Sequence, residues 1–249
     1  MGSRDAAVDA GKTYPRVEII PWDPTDERQF QRLYDQRVAC MWDFDSVAEW
    51  KDKMLGGQKI MYWIVLAEDA PRRETLLADH VKQFPKEREP LIDTATRLGQ
   101  TERTPTKTPF LPIGHIAIEA FPERNVQFSL PATTYWVKSL YISWALQASG
   151  LGRSAMAQLE RVAAASPFGS TCIALDTASR AFQLREDVMA ALYDARGAPR
   201  PREMRTNEDW YRRQGYDVVA RVEAMYDWVN PATGQSVAVP CVLMKKAVV

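Results

Sequence analysis

The chain has 249 residues, with 32 basic and 32 acidic side chains and 46% hydrophobic residues, so its formal net charge is zero. This composition excludes wholesale disorder and collagen-like or fibrous chains, and the length allows one large domain or two small ones with real cores. Zero net charge gives no global basic field for nucleic acid or anionic lipid, and no apolar run approaches the roughly 20 residues of a membrane-spanning helix.

Residues 1–13 are expected to form a flexible tail, because the start is polar and lacks the apolar core of a signal peptide. Val17-Glu18-Ile19-Ile20, ending at Pro21, predicts a first strand. Thr25 opens a helix with Phe30, Leu33, Tyr34 and Val38 at helical spacing. Ser46-Val47-Ala48-Glu49 has the pattern of a capping box, followed by Trp50 and Met54 on one face, and Gly56-Gly57 stops that helix. Ile60 to Leu66 is a continuous apolar run and predicts a buried strand.

Residues 69–112 differ in character. Pro71, Pro85, Pro90, Pro105, Pro109 and Pro112 punctuate a charged, threonine-rich stretch. It predicts a surface insertion without its own core, with short helices around Leu76-Leu77 and Leu91-Ile92 and a role in covering the acceptor side of a site. Strands are predicted over Ile113–Ala120 and Tyr135–Trp144. A glycine-bearing turn covers Gln147–Gly152, and an amphipathic helix follows with Leu151, Ala155, Leu159 and Val162, ending before Pro167. A short strand at Cys172–Leu175, a helix over Phe182–Tyr193 and a loop at Ala198–Pro201 come next. A short helix bearing Trp210 and Tyr211 stops at Gly215. Asp217–Val229 and Val237–Met244 then form a hairpin about the turn 230–234.

Strands mixed with helices predict an α/β or α+β fold, with one parallel βαβ unit over 135–175. The three cysteines, Cys40, Cys172 and Cys241, are far apart and odd in number. They form no disulfide framework or zinc pair, so a reducing, cytoplasmic setting is expected and no metal site is predicted.

The chemistry is concentrated in Leu140-Tyr141-Ile142-Ser143-Trp144-Ala145-Leu146-Gln147-Ala148-Ser149-Gly150-Leu151-Gly152-Arg153. An apolar strand runs into a two-glycine turn and a helix starts at once. Such a turn aims backbone N–H groups outward, where the helix macrodipole adds positive charge, and this suits a diphosphate. Arg153 adds a guanidinium at the same place. The Ala6–Thr13 stretch fits a relaxed phosphate-loop pattern but follows no strand and runs into Tyr14-Pro15, so it is read as chance.

Gln147-x-x-Gly150-x-Gly152 resembles the coenzyme-A signature of the GNAT superfamily of N-acetyltransferases. Downstream, Trp210-Tyr211-Arg212-Arg213-Gln214-Gly215-Tyr216 resembles that family's aromatic-Tyr-x-x-x-Gly-aromatic segment, and the element order is similar from about residue 15 onward. The resemblance implies one GNAT domain over 14–249, interrupted by the 69–112 insertion. Its fold would be a central mixed β-sheet of about seven strands, helices on both faces and a V-shaped opening between strands four and five.

It also implies that acetyl-CoA binds at the turn, through Leu140, Tyr141, Ile142, Gln147, Ala148, Ser149, Gly150, Leu151, Gly152 and Arg153. A backbone N–H near Ile142, on a strand splayed over 140–144 by a bulge, would polarise the thioester. Tyr211 stands where the family's acid stands, and Asn207 near its pantetheine-binding asparagine, at a shorter spacing than usual. The implied activity is acetyl transfer to a primary amine of a small molecule or peptide, by a monomer or homodimer. No carboxylate occupies the strand before the turn. Glu119, on the preceding strand, is the best substitute base, with a water chain or His115 as alternatives. A plain solvent-facing residue remains the competing reading of Glu119. Two readings of the whole chain stay open beside the enzyme: a non-catalytic acyl-CoA-binding sensor or scaffold, and an α/β protein whose glycine turn is only structural.

Overall fold

The apolar run after Gly57 becomes strand β2, Lys59–Leu66, with every residue buried. A strand covered on both faces has no wet face, which is why its sequence does not alternate. Strand β1, Val17–Pro21, pairs antiparallel with it from Val17–Leu66 to Pro21–Tyr62. Five further strands follow: β3 (Gly114–Ala120), β4 (Tyr135–Ile142), β5 (Cys172–Ala178), β6 (Asp217–Val229) and β7 (Ser236–Ala247). They form one sheet in the order β1-β2-β3-β4-β5-β7-β6. β4 and β5 are parallel, while β7 is antiparallel to both β5 and β6, so the sheet is mixed. This computed structural model describes residues 16–197, 200–201, 203–230 and 233–248. The tail at 1–13, the Ala6–Thr13 motif, and parts of the 198–201 loop and the 230–234 turn lie outside the described residues.

The helices are α1 (Glu27–Cys40), α2 (Val47–Leu55), α3 (Arg73–Gln83), α4 (Pro122–Gln127), α5 (Leu151–Ala164), α6 (Arg180–Gln183), α7 (Glu186–Leu192) and α8 (Asn207–Arg212). Contacts gather in two compact units. The first runs to Ala117 and takes in Ser139–Leu159; the second holds Ile118–Lys138 and the chain from Glu160 onward. β3 and β4 each pass from one unit to the other.

Several expectations change. Helix α1 begins at Glu27, two residues after Thr25, and is capped by Asp26, whose carboxylate accepts from the N–H groups of Arg28 and Gln29. It buries Gln29, Arg32, Leu33, Gln36 and Arg37, whereas Tyr34 and Val38 are exposed. Of the residues at helical spacing, Leu33 is buried and Phe30 half-buried, and the rest of the buried face is polar because its partners come from distant segments. Ser46 makes no capping bond: a turn of 3₁₀-helix at Phe44–Ser46 runs straight into α2, so no helix start is left to cap.

The insertion is folded. Leu91–Ile92 is a short strand paired with Pro109–Phe110, not a helix, and Asp93 organises the loop beyond it. That buried carboxylate takes two bonds of 2.7 Å from Arg103 and bonds of 2.8 Å from the N–H and hydroxyl of Thr106. Trp144 falls past the end of β4, the Phe182–Tyr193 helix is broken in two, and α4 lies where no element was expected.

Candidate functional site

β4 changes character midway. Its parallel register with β5 runs from Tyr135–Ile173 to Val137–Leu175, and Ser139 then takes a left-handed φ of 55° inside the strand. A non-glycine residue in that region marks a local irregularity of the strand, one residue before the 140–144 segment. Leu140 is half-buried, and Tyr141 and Ile142 are buried.

Past β4 the backbone is held at each step. Ser143 N–H donates to Ile113 O at 2.8 Å, and the indole of Trp144 donates to Ala39 O at 2.9 Å. One turn of 3₁₀-helix, Trp144–Leu146, leads to Gln147 at φ −64°. Ala148 and Gly150 then take left-handed φ values of 61° and 85° on either side of Ser149. Such changes of hand curl the chain and turn its N–H groups toward one side, the geometry of anion-binding turns. Glycine accepts this without a Cβ clash, whereas Ala148 holds it at a cost of about 1 kcal/mol or more.

Side chains brace the turn from within. Gln147 Nε2 donates to Ile142 O at 3.3 Å, and the Ser149 hydroxyl donates to Leu146 O. The first helical bond of α5 is Ser154 N–H to Gly150 O, 3.2 Å. Among the described residues, no acceptor takes the N–H groups of residues 147–152. Gln147 and Ala148 are exposed, Ser149, Gly150, Gly152 and Arg153 half-buried, and Leu151 anchors the helix start in the core. The 14-residue α5 adds its dipole at the same end. The turn is therefore a set of unspent donors with partial positive charge.

The remaining residues singled out from sequence lie in the second unit or the core. Tyr211, on α8, is buried, its ring against Trp210 and Tyr216 at 4.8 and 5.7 Å. Burial, and then the charge of Asp176, raise its pKa well above that of a free phenol. Asn207 begins α8 with an exposed side chain, and its N–H donates to Gln183 Oε1 at 2.7 Å. Glu119 is buried on β3, which removes the solvent-facing reading. His115 is also fully buried. Its Nδ1 is 3.0 Å from Gln36 Oε1 and its Nε2 3.5 Å from Arg37. Burial, with Arg37 and Lys59 nearby, pushes its pKa well below the usual value and keeps it neutral. Both ring nitrogens are engaged inside the core, so His115 is not a base for an incoming amine.

Sequence reasoning missed a polar cluster in the second unit. Lys138 on β4 contacts both oxygens of Asp176 on β5, at 2.9 and 3.1 Å, and the Tyr226 hydroxyl at 2.8 Å. Tyr226 donates to Asp176 at 2.8 Å, and Arg124 reaches it at 3.2 Å. The cost of burying the Lys138 ammonium is outweighed by Asp176 and Tyr226, which raise its pKa and hold it charged. The signal was present: Lys138 interrupts an apolar strand, and Asp176 directly follows the apolar run Cys172–Leu175.

No protein-family model matches the chain, and no curated protein matches it in sequence. Its fold has clear neighbours among solved structures. An aminoglycoside 6'-N-acetyltransferase complexed with coenzyme A shares 15% identity at a TM-score of 0.50, over 93% of this chain and 97% of that one. Arabidopsis thaliana NAA60 in complex with a bisubstrate analogue shares 11% at 0.50, over 94% and 99%. A Desulfovibrio desulfuricans protein assigned as an acetyltransferase of the GNAT family shares 12% at 0.50, over 94% and 99%. The chain has the GNAT acetyltransferase fold.

Proposed function

We propose that the chain is an N-acetyltransferase that moves the acetyl group of acetyl-CoA to a primary amine of a small molecule or peptide, by direct attack while both are bound. The observation that carries this reading is the turn at 147–152, whose N–H groups have no acceptor among the described residues and stand at the positive end of α5. Six such donors fit a diphosphate, which needs many hydrogen bonds and offsets the helix charge. The side chain of Arg153, in the first helical turn, extends the same cationic end.

Acetyl-CoA supplies an acyl group already activated as a thioester. The protein's part is to hold, orient and move protons. Leu140, Tyr141 and Ile142 provide the strand backbone along which the pantetheine lies, and an N–H near Ile142 polarises the carbonyl. Asn207, exposed at the start of α8, offers its amide to the same arm. Holding both reactants together accounts for much of the rate. Tyr211 is the proton donor to the departing sulfur. Its raised pKa keeps the phenol protonated at neutral pH, as an acid must be before the step.

Glu119 is assigned the ammonium proton. Asp176, a further carboxylate in this unit, already accepts from Lys138 at both oxygens, from Arg124 and from Tyr226, and is assigned a structural part. The acceptor is left at the level of a primary amine, although neighbours of this fold include one named for aminoglycosides.

Calorimetric titration with acetyl-CoA tests the cofactor assignment, and absence of binding at millimolar concentration removes it. A thiol-release screen over amines, amino acids and peptides tests the activity. Tight binding with no turnover on any acceptor would instead favour an acyl-CoA sensor.

A further inference from the structure

We infer that the 69–112 insertion is a buttress of the cofactor turn, with His80 as a positioning residue that acts on the turn through Ser143. The consequence for acetyl-CoA binding rests on the function proposed above; the mechanical claim does not.

Helix α3 of the insertion packs on the 3₁₀ turn Trp144–Leu146, which leads directly into the donors at 147–152. Its His80 is fully buried, and Nδ1 lies 2.8 Å from the hydroxyl of Ser143, itself 1% exposed. On the far side of the ring, Nε2 is 3.4 Å from Glu87 Oε2, close but without an aligned hydrogen bond. A carboxylate at that distance favours the ring proton on Nε2 and leaves Nδ1 to accept from Ser143. Glu87 is itself fixed. Gln36 donates to it at 2.7 Å, and Arg32 lies 3.9 Å from its carboxylate while donating to the carbonyls of Glu87 and Glu89 at 3.3 and 2.8 Å.

Ser143 is therefore held twice, by its N–H on Ile113 and by its hydroxyl on His80. It precedes the 3₁₀ turn by one residue. Any rotation there shifts the donors that follow, so the His80 bond sets where the turn begins. Three buried polar side chains in one line, Ser143, His80 and Glu87, are an expensive arrangement for a loop that only covers a surface. The insertion is thus tied to the cofactor end of β4, not reserved for the acceptor side.

The test compares His80→Ala and His80→Asn by hydrogen exchange and by acetyl-CoA titration. His80→Ala is expected to speed exchange of the hydrogen-bonded amides that flank the turn, those of Ser143, Leu146 and Ser154, about tenfold, with β5 and β7 unchanged, and to weaken acetyl-CoA about tenfold, the usual scale for orphaning one buried hydroxyl. His80→Asn places an amide close to where Nδ1 stood and should restore both to within about twofold. If His80→Ala does not fold, Ser143→Ala removes the same bond with a smaller change and is read the same way. Exchange that rises uniformly, or not at all, overturns the buttress. Local exchange that rises in a protein that ignores acetyl-CoA upholds the buttress and refutes the proposed function.

Discussion

A Cβ placed on Gly114 would lie 2.0 Å from the carbonyl oxygen of Tyr141 and 3.1 Å from the Cα of Ile142. Both atoms are backbone and cannot swing aside as a flexible side chain can. β3 and β4 therefore approach at a distance only glycine permits, next to the bond between Ser143 and Ile113. Gly114→Ala should force residues 141–142 outward and cost about 1–3 kcal/mol through overpacking. Turnover should fall as well, since those residues are assigned to the thioester. Urea denaturation reads the first effect and steady-state kinetics the second. Wild-type values in both would mean that β4 yields easily and that its position is not critical.

Tyr211→Phe removes a hydroxyl and little else. The buried ring keeps its contacts with Trp210 and Tyr216, so folding should be nearly unaffected. Loss of a general acid typically costs a hundredfold or more, and kcat is expected to drop by about that factor while the calorimetric Kd for acetyl-CoA stays constant. Because burial raises the phenol's pKa, its ionisation contributes no falling limb to the rate up to about pH 10 in the wild type. An unaltered kcat would transfer the role to another donor, with Tyr226 the first to examine.

The parts of this fold legible in the sequence are those governed by local chemistry. β2 announced itself as an unbroken apolar run, Gly57 and Gly150 stand at left-handed positions where the chain turns, and α5 follows its two-glycine turn as expected. What stayed hidden depends on partners far away along the chain. Gln36 lies on a helix face that looked wet, yet it is buried because Glu87 and His115, 51 and 79 residues away, complete its hydrogen bonds. The same holds for His80 and Ser143, separated by 63 residues. Periodicity registers apolar burial and is blind to polar groups satisfied by distant segments. For the site, the donor turn could be read because its residues are contiguous. The Lys138–Asp176–Tyr226 cluster could not, because three strands assemble it.

Glu208 links α8 to β6 and gives a pH signature. Hydrogen bonds from Arg221, then from Arg212 and the N–H of Arg180, lower its pKa from 4.5 to about 2. A carboxylate with a depressed folded pKa contributes stability that is complete above its unfolded value and vanishes as pH falls through the folded one. The contribution should therefore disappear between about pH 4.5 and pH 2. Glu208→Gln never has it, so the Tm difference between wild type and variant should be greatest near neutrality and close steadily over that interval. A constant difference across the interval would show that the arginines hold a neutral amide as firmly as a carboxylate.

The turn itself can be tested by exchanging its two left-handed residues. Gly150 sits at φ 85°, where a Cβ costs roughly 1–2 kcal/mol, so Gly150→Ala either strains the turn or changes its hand. In the second case the N–H groups on either side rotate out of convergence, and acetyl-CoA affinity should fall about tenfold, the scale of one lost charge-assisted hydrogen bond. Ala148→Gly is the matched opposite. Ala148 already carries a Cβ at φ 61°, so removing it relieves strain without altering the direction of any N–H. Its affinity should remain within about twofold of wild type. Calorimetry on the pair, with NMR chemical shifts reporting the backbone at 150, distinguishes a donor cradle from a bend that merely connects β4 to α5: if Gly150→Ala leaves the left-handed region and acetyl-CoA binding is still intact, the diphosphate is held elsewhere.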